Sequence, residues 1–326
     1  IITFINKQTE IKPTSEFALE VQEGLTAFPK YLSSKYIYDK KGDKLFQDIM
    51  NLPEYYLTNC EFDILEKHKA ALSDYFKAEK GFDLIELGAG DGKKTKILLK
   101  YLTENNIDFK YLPIDISQNI LDSLEASLTE EIPEVQVETL QGTYFNVLED
   151  LAKYNTRKKV MMVLGSNIGN LPHDKAIDFL MNIQKAMNAG DMLFMGFDQK
   201  KNPQTILDAY NDPTGVTEAF NKNLLERINN ELDANFKVEN FKHWETYDPE
   251  TGTAKSFLVS LEEQKVNINA LKLELNFKQW ETIHTEISQK YDDDVVEWLA
   301  NQAGLKMTEF FCDDECFYKN YIFEKK

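Results

Sequence analysis

Between positions 83 and 198 the chain alternates short apolar runs with segments of helical periodicity. "DLIEL" (83–87) reads as a buried strand, breaks into three glycines, and gives way to an amphipathic helix pattern near Lys93. "KYLPIDI" precedes the helix of "QNILDSLEASL", and "EVQVETL" precedes a mixed helical stretch. "KKVMMVLG" precedes the helix of "DKAIDFLMNIQKAM", and "GDMLFMGFD" closes the series. Strands alternating with helices call for right-handed crossovers and a parallel sheet covered on both faces, so the pattern predicts a doubly wound α/β domain.

The rhythm changes after Asp198. A long helical segment, "GVTEAFNKNLLERINNELDANF", leads into β-like runs at 238–247 and 254–261, joined by the turn-forming "YDPETGTAK". The alternating run "ALKLELNF" follows, then a helix, "DDVVEWLANQAGL", and two runs, "KMTEFFCDD" and "CFYKNYIFEK", that can return to the sheet as its last strands. The predicted division is a first domain over 1–197 that begins with aromatic-rich helices, an inserted α+β domain over 198–286, and a return to the first domain over 287–326. No internal repeat or low-complexity segment interrupts this order.

Composition narrows the field of partners. Thirty-seven Lys and Arg stand against 55 Asp and Glu in 326 residues, a formal charge of −18. Such a surface repels phosphate backbones and anionic lipid, so neither nucleic acid nor a membrane is an expected partner. No run reaches the roughly 18 apolar residues of a membrane span, and "IITFINKQTEIKPTSEF" lacks the apolar core of a signal peptide. A cytoplasmic monomer is the expectation. Cys60, Cys312 and Cys316 are an odd count, and C-x3-C without a second ligand pair does not make a zinc site, so reduced thiols are expected and no metal is assigned.

Gly88, Gly90 and Gly92 form G-x-G-x-G. The dinucleotide fingerprint needs its third glycine where Lys93 stands. The Walker pattern fails as well, because position 87 is Leu87 and two lysines precede Thr95. An acidic residue followed by glycines at a strand end instead resembles the S-adenosylmethionine-dependent methyltransferases. There, absent Cβ atoms let the backbone approach the methionine part of the cofactor, and Glu86 could organise the loop or face the ammonium group. Asp115, at the tip of the second strand, could accept both ribose hydroxyls or merely cap the next helix.

Longer stretches resemble one family in particular, the histidine-specific Nα-methyltransferases of ergothioneine biosynthesis. The similarity runs through "YIYDKKGDKLFQDIMNLPEYYLTNCEFDIL", "ELGAGDGKKTKILL", "YLPIDIS" and "LGSNIGNL". It resumes in "DAYNDPTGVTEAFNKNLLERINNELDANF" and "ETIHTEISQKY", and so covers nearly the whole chain. The resemblance implies a Rossmann-like class I methyltransferase sheet with an inserted α+β substrate-binding domain. It also implies S-adenosylmethionine as cofactor and successive methylation of the α-amine of L-histidine to the trimethyl betaine, hercynine.

Carried over residue by residue, the resemblance implies that Gly88, Lys94 and Asp115 contact the cofactor, with Glu86 and Gly90 in the same loop and Thr143 and Tyr144 at the adenine. It implies that Tyr55, Asn170 and Tyr210 hold the amino acid's carboxylate and amine, that Glu286 and Ser288 hold the imidazole, and that Tyr38 lines the site. On their own residue types, Tyr55 could be packing, Asn170 a turn residue, and Glu286 a solvated surface charge. His68, His173, His243 and His284 are scattered and receive no catalytic role; His284 would share a strand face with Glu286. No general base is assigned, since the residues need only position a neutral amine. Three positions depart from the family pattern: Thr143 where an acidic residue is usual, Asn167 where threonine is, and Phe257 where methionine is. The rival readings are a methyltransferase of another amino acid or small amine, and a non-catalytic cofactor-binding protein.

Overall fold

The structure, a computed structural model, describes residues 15–153 and 156–326 apart from the side chains at 144 and 145. Positions 1–14, which carry most of the stretch compared with a signal peptide, lie outside the described residues, as does the Tyr144 side chain assigned to the adenine. The chain opens with α1 (Glu16–Thr26), the two-residue β1 (Lys30–Tyr31), α2 (Lys40–Met50) and α3 (Leu57–Phe76). The alternating region follows as β2 (Phe82–Leu87), α4 (Thr95–Glu104), β3 (Phe109–Asp115), α5 (Gln118–Glu131) and β4 (Leu140–Gln141). It continues as α6 (Tyr144–Leu151), β5 (Lys158–Val163), α7 (His173–Ala186) and β6 (Met192–Asp198). After α8 (Pro203–Tyr210) and α9 (Val216–Leu232) come β7 (Phe241–Asp248), β8 (Thr253–Ser260), β9 (Gln264–Ile268), β10 (Leu273–Phe277) and β11 (Thr282–Gln289). The chain ends with α10 (Asp293–Gln302), β12 (Leu305–Cys312) and β13 (Tyr318–Lys325).

Two compact units result. Among the described residues, the core unit comprises those within 56–203, 249–253 and 288–326, and the insert unit those within 15–55, 204–248 and 254–287. This differs from the division that the sequence suggests, which leaves the first 55 residues with the core. The reason is apolar spacing: Phe17, Val21 and Leu25 of α1 form a stripe that packs in one cluster with Phe220, Leu224 and Ile228 of α9 and with Phe241, Leu258 and Ile283. β1 reinforces the arrangement by pairing in parallel with β11, Lys30 opposite Ile283.

The core unit is a seven-stranded sheet in the order β12-β13-β6-β5-β2-β3-β4. All pairings are parallel except those of β13, which runs antiparallel to both β6 and β12. Every position of β2 is buried, as a strand covered on both faces requires. One face packs Ile85, Met161, Leu193 and Tyr321 under α7 and α10 through Leu180, Ile183, Val296 and Leu299. Phe76 of α3 stands edge-on to Phe82 and Phe194, with centroids 6.0 and 5.8 Å away. The order reverses between β2 and β5, which opens a crevice beyond their carboxyl ends.

The insert unit carries a four-stranded sheet, β1-β11-β8-β7, and a separate antiparallel pair, β9 with β10. β8 alternates strictly, burying Ala254, Ser256, Leu258 and Ser260 and turning Lys255 and Phe257 to the other face. Among the described residues no helix is long and apolar enough to cross a membrane. One cysteine expectation is corrected. The turn between β12 and β13 brings the Cα atoms of Cys312 and Cys316 to 5.0 Å, and the two are joined as a disulfide rather than left as reduced thiols. Cys60 is free; burial, followed by the charges of Asp313 and Asp198, pushes its thiol up to about 12 and leaves it a weak nucleophile.

Candidate functional site

In the core unit the site residues gather at the carboxyl ends of β2, β3 and β5. Gly88 and Gly90 have φ of +76° and +55°, the left-handed region that favours glycine, and no atom lies within 4 Å of where a Cβ of Gly90 would stand. Backbone N–H groups there can be approached without a side chain in the way. The loop is anchored beneath by Glu86, whose carboxyl accepts from the Thr95 hydroxyl at 2.7 Å and from the Tyr111 hydroxyl. That buried carboxyl ties β2 to the first turn of α4 and to β3. Burial raises its pKa to about 7, against the opposing pull of the two hydroxyls and of the Lys94 ammonium.

Asp115 is half-buried at the end of β3, and one of its oxygens accepts from the Ser117 N–H at 2.9 Å. It is not the cap of the next helix; Ser117 holds that position. Thr143 is the cap of α6, its hydroxyl accepting from Asn146 N. Lys94 ends the glycine loop, and its ammonium pairs with the fully buried carboxylate of Glu61 from α3. On the loop after β5, Asn170 is half-buried at the end of a single 3-10 turn, while Asn167 is exposed and bonds to Leu164 O at 3.4 Å.

A second set of charges lies at the end of β6. Asp198, fully buried, receives the ammonium groups of Lys201 at 2.5 Å and Lys290 at 2.8 Å and the Tyr56 hydroxyl at 2.9 Å. Burial would raise its pKa, but the two ammonium groups overcome this and hold it below the usual range. Lys290 also donates to the Ser288 hydroxyl oxygen at 2.7 Å. An ammonium has no lone pair, so Ser288 is the acceptor in that contact.

In the insert unit the structure brings Tyr38, Tyr55, Tyr210 and Glu286 together. The Tyr55 and Tyr210 rings meet edge-on at 6.2 Å, and Phe46 stands 6.3 Å from Tyr55 and 5.6 Å from Tyr38. Burial, then the Glu286 carboxylate, then Tyr55 and Tyr210 push the Tyr38 hydroxyl well above the ordinary tyrosine range. It stays protonated and can donate. Tyr210 ends α8, and its carbonyl accepts from His243 Nε2 at 2.9 Å; burial keeps that imidazole neutral. His284 lies two residues before Glu286 on β11, and its ring contacts Phe257 at 5.4 Å. Glu286 and Ser288 are likewise two residues apart on that strand.

Sequence reasoning missed Glu61, Tyr56, Asp198, Lys201 and Lys290. One signal was present for Glu61: it falls on the apolar stripe of α3 with Leu57, Ile64 and Leu65, where an acid is out of place.

Comparison with known proteins gives this arrangement a lineage. The family described as histidine-specific methyltransferase, SAM-dependent, matches residues 17–325. The histidine N-alpha-methyltransferase of Mycolicibacterium smegmatis is 34% identical over 296 residues, covering 90% of each chain. A protein of the same description from Mycobacterium tuberculosis is 32% identical over 90% of each. Ergothioneine biosynthesis protein 1 of Schizosaccharomyces pombe is 28% identical over 90% of this chain and 39% of its own length. A match across almost the entire chain, joined to a doubly wound sheet with its glycine loop at the β2 end, shows that this protein belongs to the histidine-specific, S-adenosylmethionine-dependent methyltransferases.

Proposed function

We propose that the chain transfers methyl groups in succession to the α-amino nitrogen of L-histidine, ending at the trimethyl betaine. The observation that carries this reading is the cluster in the insert unit, where the Tyr55 and Tyr210 rings meet edge-on at 6.2 Å and the charge of Glu286 acts on the Tyr38 hydroxyl. Glu286 and Ser288 offer an acceptor and a hydroxyl to the two ring nitrogens. Tyr55, Tyr210 and Asn170 hold the carboxylate and amine without burying a counter-cation, and Tyr38 lines the site as a donor.

The core unit fits the cofactor: open space at Gly90, an ammonium fixed at the crevice, and a carboxylate at the β3 tip. When bound, S-adenosylmethionine supplies a methyl group on a positively charged sulfur. Gly88 and Gly90 would admit it to the backbone, Lys94 would meet its amino-acid end, Asp115 would accept from the ribose hydroxyls, and Thr143 would border the adenine. The remaining task is to present the amine as a free lone pair at about 3–3.5 Å from the carbon it attacks.

Titration with L-histidine and with its trimethyl betaine in the presence of S-adenosylhomocysteine tests the substrate. Micromolar binding of either is expected; silence from both while S-adenosylhomocysteine binds overturns histidine. Glu286→Gln is expected to lower kcat/KM for histidine by about 100-fold, the worth of a charge-assisted hydrogen bond, with S-adenosylhomocysteine affinity unchanged. Unaltered turnover would remove Glu286 from the imidazole. A second reading, methylation of a different amino acid, draws on Phe257, whose ring against His284 occupies volume where the family usually has methionine. A panel of amino acids separates the two.

A further inference from the structure

We propose that Glu61 is the positioning residue for Lys94, and that the pair reads the amino-acid end of the cofactor. This rests on the reading of Lys94 as a cofactor contact and extends it to a residue of α3.

Glu61 is completely buried, and four donors surround its carboxylate. One oxygen accepts from the Tyr318 hydroxyl at 3.0 Å and from the Asn320 amide at 2.9 Å. The other accepts from the Gly165 N–H at 2.8 Å and from the Lys94 ammonium. Three parts of the core unit therefore converge on one carboxylate: β13, the loop after β5, and the end of the glycine loop. Taking a carboxylate out of water is costly unless such partners surround it, and an apolar residue would fill the same helix position with less penalty. What the carboxylate adds is a fixed direction for an ammonium.

The lysine side chain remains partly accessible. The Lys94 side chain keeps 24% of its exposure while Glu61 keeps none, so the lysine is held from the inside and open on the outside. Gly165, at φ +85°, would place a Cβ 3.8 Å from the Lys94 nitrogen, and as glycine it leaves that side uncrowded. The pair sits where the loops after β2 and β5 meet, at the reversal of strand order. Lysine has three N–H donors, of which Glu61 takes one direction; the others can meet a carboxylate. Lys94 and Glu61 together are neutral, a pairing suited to a zwitterionic amino-acid group rather than to a simple anion.

The test compares two ligands. S-adenosylhomocysteine carries the amino-acid end, and 5′-methylthioadenosine shares the nucleoside and thioether but lacks it. In Glu61→Gln one amide oxygen cannot serve four donors, and the lysine loses its anchor. Affinity for S-adenosylhomocysteine is expected to fall about 10- to 100-fold, with that for 5′-methylthioadenosine unchanged. Lys94→Ala should show the same selective loss, and Glu61→Gln with Lys94→Ala should be no worse than Lys94→Ala alone. Tyr318→Phe, which removes one donor and keeps the carboxylate, should give a smaller loss of the same selectivity and serves if Glu61→Gln does not fold. Equal weakening of both ligands would make Glu61 a structural residue and overturn the proposal. So would an unchanged S-adenosylhomocysteine affinity, with the cofactor reading left standing. Failure of wild type to bind S-adenosylhomocysteine would overturn both, and no amino-acid substrate is present to confuse them.

Discussion

Asp198→Ala should destabilise the protein by about 3–5 kcal/mol, the cost of removing one partner from a buried ion pair. Asp198 closes β6, and both of its oxygens are engaged, one by Lys201 at 2.5 Å and the other by Lys290 at 2.8 Å, with the Tyr56 hydroxyl bridging at 2.9 and 3.0 Å. Truncation leaves two ammonium groups without the carboxylate they share. Lys201 already feels this tension: burial lowers its pKa more than Asp198 raises it, and Lys290 adds repulsion. Removing Lys201 still leaves Asp198 paired with Lys290 at 2.8 Å and with the Tyr56 hydroxyl at 2.9 Å, so Lys201→Met should cost less than Asp198→Ala. Urea unfolding of the three proteins gives the comparison. A loss under about 1 kcal/mol for Asp198→Ala would mean that the carboxylate is not what holds this end of the sheet.

Glu86→Gln is expected to gain on wild type as pH rises. The folded carboxyl has a pKa of about 7, against about 4.3 in the unfolded chain. Between those values the folded state holds a proton that the unfolded state has released, so stability falls as pH rises through that window. The stabilising contribution is complete below about pH 4.3 and gone above pH 7. Glutamine does not titrate, and other ionisations cancel in the difference. Wild type minus Glu86→Gln should therefore decline by about 3 kcal/mol between pH 4.5 and pH 8. Denaturant midpoints at the two ends measure it, and a flat difference would show that Glu86 is already ionised.

The sheet was legible because its strands are buried on both faces and so appear as unbroken apolar runs. β2, β3, β5 and β6 fall on "DLIEL", "KYLPIDI", "KKVMMV" and "MLFMGFD". The run at 134–140 was less faithful: only Leu140–Gln141 form a strand there, with a single bridge from Val137 to Tyr111, as suits the sheet's edge. β1 and β9 escaped, the first because two residues carry no period and the second because "QKVNI" is too short and polar to announce itself. The glycine loop and Asp115 are local signals, contiguous in sequence and readable one strand at a time. The partners of Glu61 lie 33 to 259 residues away, and no window of sequence contains them. Likewise the placement of residues before Tyr55 depends on which apolar stripe meets which, a choice made only in three dimensions.

The reversed strand β13 has a consequence for synthesis. β13 does not decorate the sheet; it fills the gap between β6 and β12 and satisfies the backbone of both. Between β6 and β13 in the chain lies the whole run from 199 to 317, all of which must leave the ribosome first. During that interval β6 presents a bare row of amides and carbonyls beside an apolar surface, the situation in which strands recruit wrong neighbours. That exposure lasts until β13 arrives, and the segment that ends it is also the one that delivers Tyr318 and Asn320 to Glu61. Closing the sheet and completing the seat of Lys94 are a single event.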